Sequence, residues 1–325
     1  RLFPFVAARA MLVRHGNEST MDWKELLKQK AVLVCDGAWG TELARRGLPS
    51  GTTPELWNAL NPEAVQSVAR DYMEAGADIV LTNTFGGSRF KLAKAGLEDR
   101  TAELNRLGAE HSRSAVGERA LVFASVGPTG EFMQPLGLRT AAEFTECFAE
   151  QIEALAEGGA DAVLIETMSD LGEARAALKA ARQVCDLPVV VSMMYDRGQK
   201  GFATMMGITP EQAAGDLKGA DIVGSNCGNG IENMLEVAVE MREATERPLW
   251  IKPNAGMPEL VDGETVFQQT PEMMAAQVPK LIEVGASIIG GCCGTTPEHI
   301  RRIAEAVEEH RDVARSVSGE VLERL

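Results

Sequence analysis

"GADIV" occupies Gly76–Val80, returns unchanged at Gly219–Val223, and has close copies in "GADAV" (Gly159–Val163) and "GASII" (Gly285–Ile289). The intervals are 83, 60 and 66 residues. Each phrase opens an apolar run of the length expected for a strand buried on both faces. The first, second and fourth follow helix-like segments such as "PEAVQSVARDYMEA", whose end the glycine suits as a C-cap. Four further runs alternate with them: "AVLVCDG" (31–37), "ALVFASVGP" (120–128), "PVVVSMMY" (188–195) and "PLWIKPNA" (248–255). Eight strands thus alternate with helical stretches, and the phrase marks every second one, so the unit is βαβα taken four times. This predicts an α/β fold, a single-domain (β/α)8 barrel of the TIM type. A doubly wound open sheet is the competing architecture, but "DGAWGTEL" after the first strand lacks the glycine spacing of a dinucleotide loop.

No Pro/Gly/Ser-rich linker or low-complexity run divides the chain, so one barrel is expected over residues 21–312, with a C-terminal tail at 313–325. Residues 1–20, "RLFPFVAARAMLVRHGNEST", carry three arginines and no acid before Glu18, a composition shared with targeting segments. "MDWKELLKQK" from Met21 reads as an ordinary amphipathic first helix, so residues 1–20 are taken as a tail outside the fold.

The 325 residues include 47 Asp and Glu against 32 Lys and Arg, a formal charge of −15. That balance repels nucleic acid and anionic membrane surfaces and points to a small-molecule partner. No apolar stretch approaches the roughly 20 residues of a membrane span. The six cysteines (35, 147, 185, 227, 292 and 293) are scattered through a large chain, which argues for free thiols in a reducing, cytoplasmic setting rather than a disulfide scaffold. Oligomeric state is left open.

In such a barrel the active site gathers at the carboxyl ends of the strands. Those ends carry Asp36, the group Thr82, Asn83 and Thr84, then Gly127, Glu166 with Thr167, Ser192, Asn226 with Cys227, Asn254, and finally Cys292 with Cys293. Barrel closure brings Cys227 and the Cys292–Cys293 pair to one rim although 65 residues separate them. Adjacent cysteines can share one target because the strand has ended there, and Gly291 and Gly294 let the backbone turn. Three thiolates around one point form a metal constellation. Zinc fits best, since it favours cysteine sulfur, is tetrahedral, and keeps a fourth position for a substrate when the protein supplies three ligands. Cys35, Cys147 and Cys185 read as core packing. No histidine lies at a strand end; His299 falls in the first turn of a helix that Thr296 caps and Pro297 opens. Activation therefore rests on the metal rather than on an imidazole base. A zinc already holding three anionic sulfurs suits alkyl transfer to a thiol better than hydrolysis.

The motifs "DGAWGTEL", "ELWN", "LTNTFGG", "SVGPTGE", "LIET", "GSNCGNG" and "IIGGCCGTTPEHI", in this order over roughly Leu33 to Val307, resemble the homocysteine S-methyltransferase family. That family includes the homocysteine domain of cobalamin-dependent methionine synthase, betaine-homocysteine methyltransferases and S-methylmethionine-dependent relatives. The resemblance implies a methyltransferase enzyme making methionine, with Cys227, Cys292 and Cys293 on zinc and homocysteine sulfur in the open position. It further implies that Glu166 receives the substrate amino group with help from Asp36. Thr167, Ser225 and Asn226 are implied as assisting contacts, and backbone N–H groups of the glycine-rich loops, notably around Trp39 to Leu43, as the carboxylate's partners.

Trp57 and Asn83 are the donor-side candidates. Gly86 stands where vertebrate-type betaine enzymes have a caging aromatic, which favours methylcobalamin or a methyl-corrinoid on a separate protein as donor. Betaine and methylsulfonium compounds (S-methylmethionine, dimethylsulfoniopropionate) are the alternatives. Two readings of other kinds are a non-catalytic homocysteine- or zinc-binding module and a Schiff-base role for Lys252.

Overall fold

The computed structural model describes residues 22–228, 230–261 and 264–325; the tail expected at 1–20 lies outside them. Eight parallel strands form one sheet: β1 (Leu33–Val34), β2 (Ile79–Leu81), β3 (Leu121–Val126), β4 (Ala162–Met168), β5 (Val189–Met193), β6 (Ile222–Cys227), β7 (Leu249–Pro253) and β8 (Ala286–Ile289). Their order is β1-β8-β7-β6-β5-β4-β3-β2. A parallel bridge from Cys35 to Ile79 joins β1 to β2 and closes the ring. The expected (β/α)8 barrel is therefore the observed fold, and all eight runs contribute their strands.

The recurrent phrase proves to be a register device. Its aspartate precedes the strand and clips a single residue of the strand before it through two bonds. The Asp78 N–H donates to Val34 O (2.7 Å), while Val34 N–H donates to Asp78 Oδ2 (3.0 Å). Asp161 treats Val122 in the same way, with Val122 N–H 2.8 Å from Asp161 Oδ2, and Asp221 treats Val189, at 2.7 Å. A basic residue neutralises each carboxylate: Lys30 for Asp78, Arg113 for Asp161 and Arg182 for Asp221. Ser287 stands at this position in the fourth phrase, and there the pairing of β8 with β7 carries a register shift. Gly76, Gly159 and Gly285 have φ of +101°, +93° and +89°, so each ends its helix in a conformation that suits glycine.

Alternation along the strands sorts their side chains. Leu33, Leu121, Phe123, Ala162, Leu164, Val190, Ile222, Trp250 and Ile288 pack together inside the barrel. Intervening residues such as Val80, Val122, Val163, Val191, Val223 and Ile251 join the larger layer between strands and helices. Trp23 and Leu27, from the helix Trp23–Lys30 two residues before β1, complete the interior set and stopper the amino ends of the strands. Residues 313–325, expected as a tail, lie mainly in the helix Arg311–Glu323, which packs against helices Trp23–Lys30 and Val278–Glu283 and buries Ala314.

Two short hairpins not anticipated from the sequence decorate the carboxyl-end face, Asp196–Gly198 with Gly201–Ala203 and Pro258–Val261 with Glu264–Phe267. Among the described residues no helix is long and apolar enough to cross a membrane.

Candidate active site

Above the apolar interior, the inward-facing residues change to Ser125, Glu166, Ser192, Asn226 and Lys252, all buried. This polar layer is the floor of the site. Lys252 Nζ donates to Asp36 Oδ1 at 2.8 Å. Asp36 Oδ2 accepts from Trp39 Nε1 (2.8 Å) and from Leu81 N–H (2.7 Å). Burial lowers the affinity of the Lys252 amine for its proton, but the carboxylate of Asp36, with Cys35 and Glu166 beyond it, more than offsets this and holds the ammonium above its ordinary range. An ammonium buried against a carboxylate is a poor nucleophile, so the geometry does not support the Schiff-base role for Lys252. Asp36 lies beneath the rim as a brace between β1, β2 and β7.

Glu166 Oε1 accepts from Ser125 Oγ at 2.5 Å, and its Oε2 lies 3.4 Å from Asn226 Nδ2. Burial pushes this carboxyl up to about 7, with Lys252 pulling the other way. Thr167, the next residue, has φ of +60°, and the register of β4 against β5 shifts between Ile165 and Met168. A β-branched residue in the left-handed region is strained. Asn226 holds it there, accepting from Thr167 N–H at 2.9 Å and donating to Thr167 Oγ1 at 2.7 Å. Ser192 Oγ donates to the same Asn226 Oδ1 at 2.6 Å, which fixes the orientation of the amide.

The cysteine pair sits where β8 has ended and the chain turns. Gly291 N–H donates to Asp36 O (3.0 Å), Cys292 N–H to Pro253 O (2.8 Å), and Thr295 N–H closes the turn on Cys292 O (3.1 Å). Gly294, at φ +80°, lies against Phe267 so closely that an added Cβ would stand 2.1 Å from its ring. Cys227 is itself left-handed, at φ +64°. Its Sγ lies 4.0 Å from Cys293 Sγ, and all three sulfurs fall within 4.8 Å of one another.

Asn254, at the end of β7, ties the two cysteine loops together. It accepts from Cys293 N–H (3.0 Å) and donates to Gly228 O (2.7 Å). The neighbouring thiols of Cys292 and Cys293 draw the Cys227 thiol below its ordinary range, and Cys227 in turn pushes theirs up. The cluster fits zinc: a tetrahedral site with Zn–S bonds of about 2.3 Å needs sulfurs about 3.8 Å apart, close to the spacing found here.

The other candidates divide. Thr167 and Asn226 join the cluster as described. Ser225, one residue on from the interior position of Gly224, shares the outward side of β6 with Val223, and its Oγ has no hydrogen-bond partner among the described residues. Trp57, 9 % exposed, belongs to the apolar layer between strands and helices. Asn83 donates to Pro54 O and Asn58 Oδ1, bracing the loop after β2. His299 caps its helix with Thr296 and reaches Gln269 O through Nε2 at 3.0 Å. Cys35 and Cys147 are buried in the packing, and Cys185 ends its helix half-buried.

A family profile described as homocysteine S-methyltransferase matches residues 33–307. The chain belongs to the homocysteine S-methyltransferase family. The expected family and the expected fold are thus both found. The methionine synthase of Mycobacterium tuberculosis is 32% identical over 325 residues, covering 92% of this chain and 26% of that protein. That of Mycobacterium leprae is 33% identical over 312 residues, covering 90% and 25%. The chain thus spans about a quarter of the length of these curated relatives. Among solved structures, the metallated form of the homocysteine methyltransferase MmuM from Escherichia coli superposes with a TM-score of 0.72 at 26% identity, covering 86% of this chain and 98% of that one.

Proposed function

We propose that this member of the family is a zinc-dependent homocysteine S-methyltransferase that forms methionine and takes its methyl group from methylcobalamin or a methyl-corrinoid on a separate protein. The observation that carries the reading is the reach of one side chain: Asn226 Nδ2 lies 3.4 Å from Glu166 Oε2 and 3.8 Å from Cys292 Sγ. A carboxylate for an ammonium and a sulfur cluster for a thiol are one amide apart, which is complementary to a small amino thiol. Zinc held by Cys227, Cys292 and Cys293 would let an incoming thiol lose its proton at neutral pH while three anionic sulfurs keep that thiol's sulfur electron-rich.

The remaining work falls to the chain's own residues. Glu166 pairs the substrate ammonium and is aimed by Ser125 and Asn226, while backbone N–H groups of the loop after β1 take the carboxylate. The Lys252–Asp36 pair makes a fixed, dry floor. No rim histidine is present among the described residues to act as base, so with zinc in place the thiol proton would pass to solvent water as the thiol binds. The carbon–sulfur bond then forms as the methyl group's bond to its donor breaks.

On the donor side, Phe85 is 37 % exposed, but its ring already faces the Lys91 ammonium at 4.6 Å. Trp57 is in the packing layer. Neither offers an open π face to an onium methyl donor, which supports the corrinoid. The free state of all six cysteines is in keeping with a cytoplasmic setting.

The test is a panel in which zinc-loaded protein and homocysteine meet methylcobalamin, betaine, dimethylsulfoniopropionate or S-methylmethionine, with methionine read by mass spectrometry. Turnover with methylcobalamin is expected. Robust turnover with betaine alone would overturn the choice of donor, and tight binding of zinc and homocysteine without turnover from any of the four would favour the non-catalytic module or a dedicated corrinoid partner.

A further inference from the structure

Two of the three non-glycine residues with positive φ in the described structure, Thr167 and Cys227, stand at the site. One follows Glu166 and the other belongs to the sulfur cluster. Asn226 touches both features: it precedes Cys227 in the chain and makes two hydrogen bonds to Thr167, one to its N–H and one to its hydroxyl. It is fully buried, and Ser192 Oγ fixes which way its amide faces. Without those bonds a threonine has no reason to remain left-handed, and the carboxylate one residue earlier would turn with it.

We propose that Asn226 is a positioning residue rather than a substrate contact, holding Thr167 in its left-handed turn and so registering Glu166 against Cys227 and the sulfur cluster. The amine subsite and the sulfur subsite are thereby set to one spacing by one side chain. This inference rests on the homocysteine reading of the site and deepens it.

The discriminating variant is T167G, because glycine enters the left-handed region without penalty and needs no clamp. The experiment is calorimetric homocysteine titration of zinc-loaded wild type, N226A, T167G and N226A/T167G, with zinc content measured in parallel. A clamp predicts non-additivity: N226A weakens homocysteine binding by about 10- to 30-fold in the wild-type background but only by about 3-fold or less on the T167G background, with zinc retained throughout. S192A leaves Asn226 in place while freeing its amide to rotate, and it repeats the test if N226A does not fold. A several-fold loss, again suppressed by T167G, is expected.

Equal losses on both backgrounds would overturn the inference alone, since Asn226 would then act by touching the ligand. Zinc lost in step with homocysteine would overturn it in favour of a role on the metal. Absence of homocysteine binding by zinc-loaded wild type would overturn the functional reading and this inference with it.

Discussion

Lys252 Nζ lies 2.8 Å from Asp36 Oδ1 inside the barrel, with the two side chains 2% and 0% exposed. The pair joins β7 to β1 directly beneath the sulfur cluster. Desolvation makes an intact buried pair roughly neutral, but a charge left without its partner is costly. K252M is therefore expected to destabilise the protein by about 3 to 5 kcal/mol in urea denaturation. Adding D36N, which removes the orphaned charge and keeps a carbonyl for Trp39 and Leu81, should recover part of that loss. A double variant no more stable than K252M would mean that packing, not charge, sets the cost.

Glu166 links stability and function with opposite signs. Its carboxyl is raised in the folded state to about 7, chiefly by burial. The stabilisation from the protonated form is therefore full below the unfolded pKa of about 4.3 and is lost as pH rises through about 7. E166Q removes this dependence, so substrate-free E166Q should melt at a higher temperature than wild type at pH 8, by the equivalent of up to about 3 kcal/mol. The same change should weaken homocysteine binding by about 1.5 to 3 kcal/mol, by loss of a charge-assisted pair, and leave zinc in place. Unchanged affinity would move the amine to another partner.

Protein purified without air should carry about one zinc per chain, removable by strong chelators, and C227A should lose most of it. Cys227 and Cys293 have their sulfurs 4.0 Å apart, so oxidation of the metal-free cluster should block reloading until a reductant is added. Elemental analysis showing full zinc in C227A would exclude Cys227 as a ligand.

Asp161 clips Val122 and pairs with Arg113 at the far end of the barrel from the site. D161A is expected to lower stability by about 1 to 3 kcal/mol, because Val122 N–H and the Arg113 guanidinium lose a half-buried partner. Homocysteine affinity, measured on the zinc-loaded variant, should stay within about twofold of wild type. A selective loss of affinity would show that strand register reaches the rim.

The barrel and its sulfur cluster were legible because both are carried by residue types that have few alternative roles in such positions. A phrase recurring on alternate strands counts the fold, and cysteines gathered at strand ends mark the site. What the phrase does was not legible, since the clips from Asp161 and Asp221 join strands that become neighbours only in the folded sheet, and the clip from Asp78 spans the β1–β2 seam that closes the barrel. Ser125 lies within an apolar run where nothing in the sequence distinguishes a polar floor from a tolerated substitution, and Ser192 and Lys252, read as a strand-end residue and a candidate nucleophile, give no sign that they share that floor. Thr167 and Cys227 could not be read as left-handed because the usual sign is glycine. Ser225 is implied as an assisting contact by the resemblance, although strand alternation puts it on the face opposite Asn226. Trp57 reads as a donor contact from its chemistry, whereas packing decides its place.

With Trp23 and Leu27 filling the amino end of the barrel, traffic has a single door. If the proposed reaction holds, both reactants would arrive through it and methionine would leave by it, so the amino thiol, held between Glu166 in the floor and the sulfur cluster above it, would have to be seated before the methyl donor covers the opening. The expected kinetic signature is compulsory order in initial-rate and product-inhibition kinetics: homocysteine binding first, the donor second, and methionine competing with homocysteine rather than with the donor.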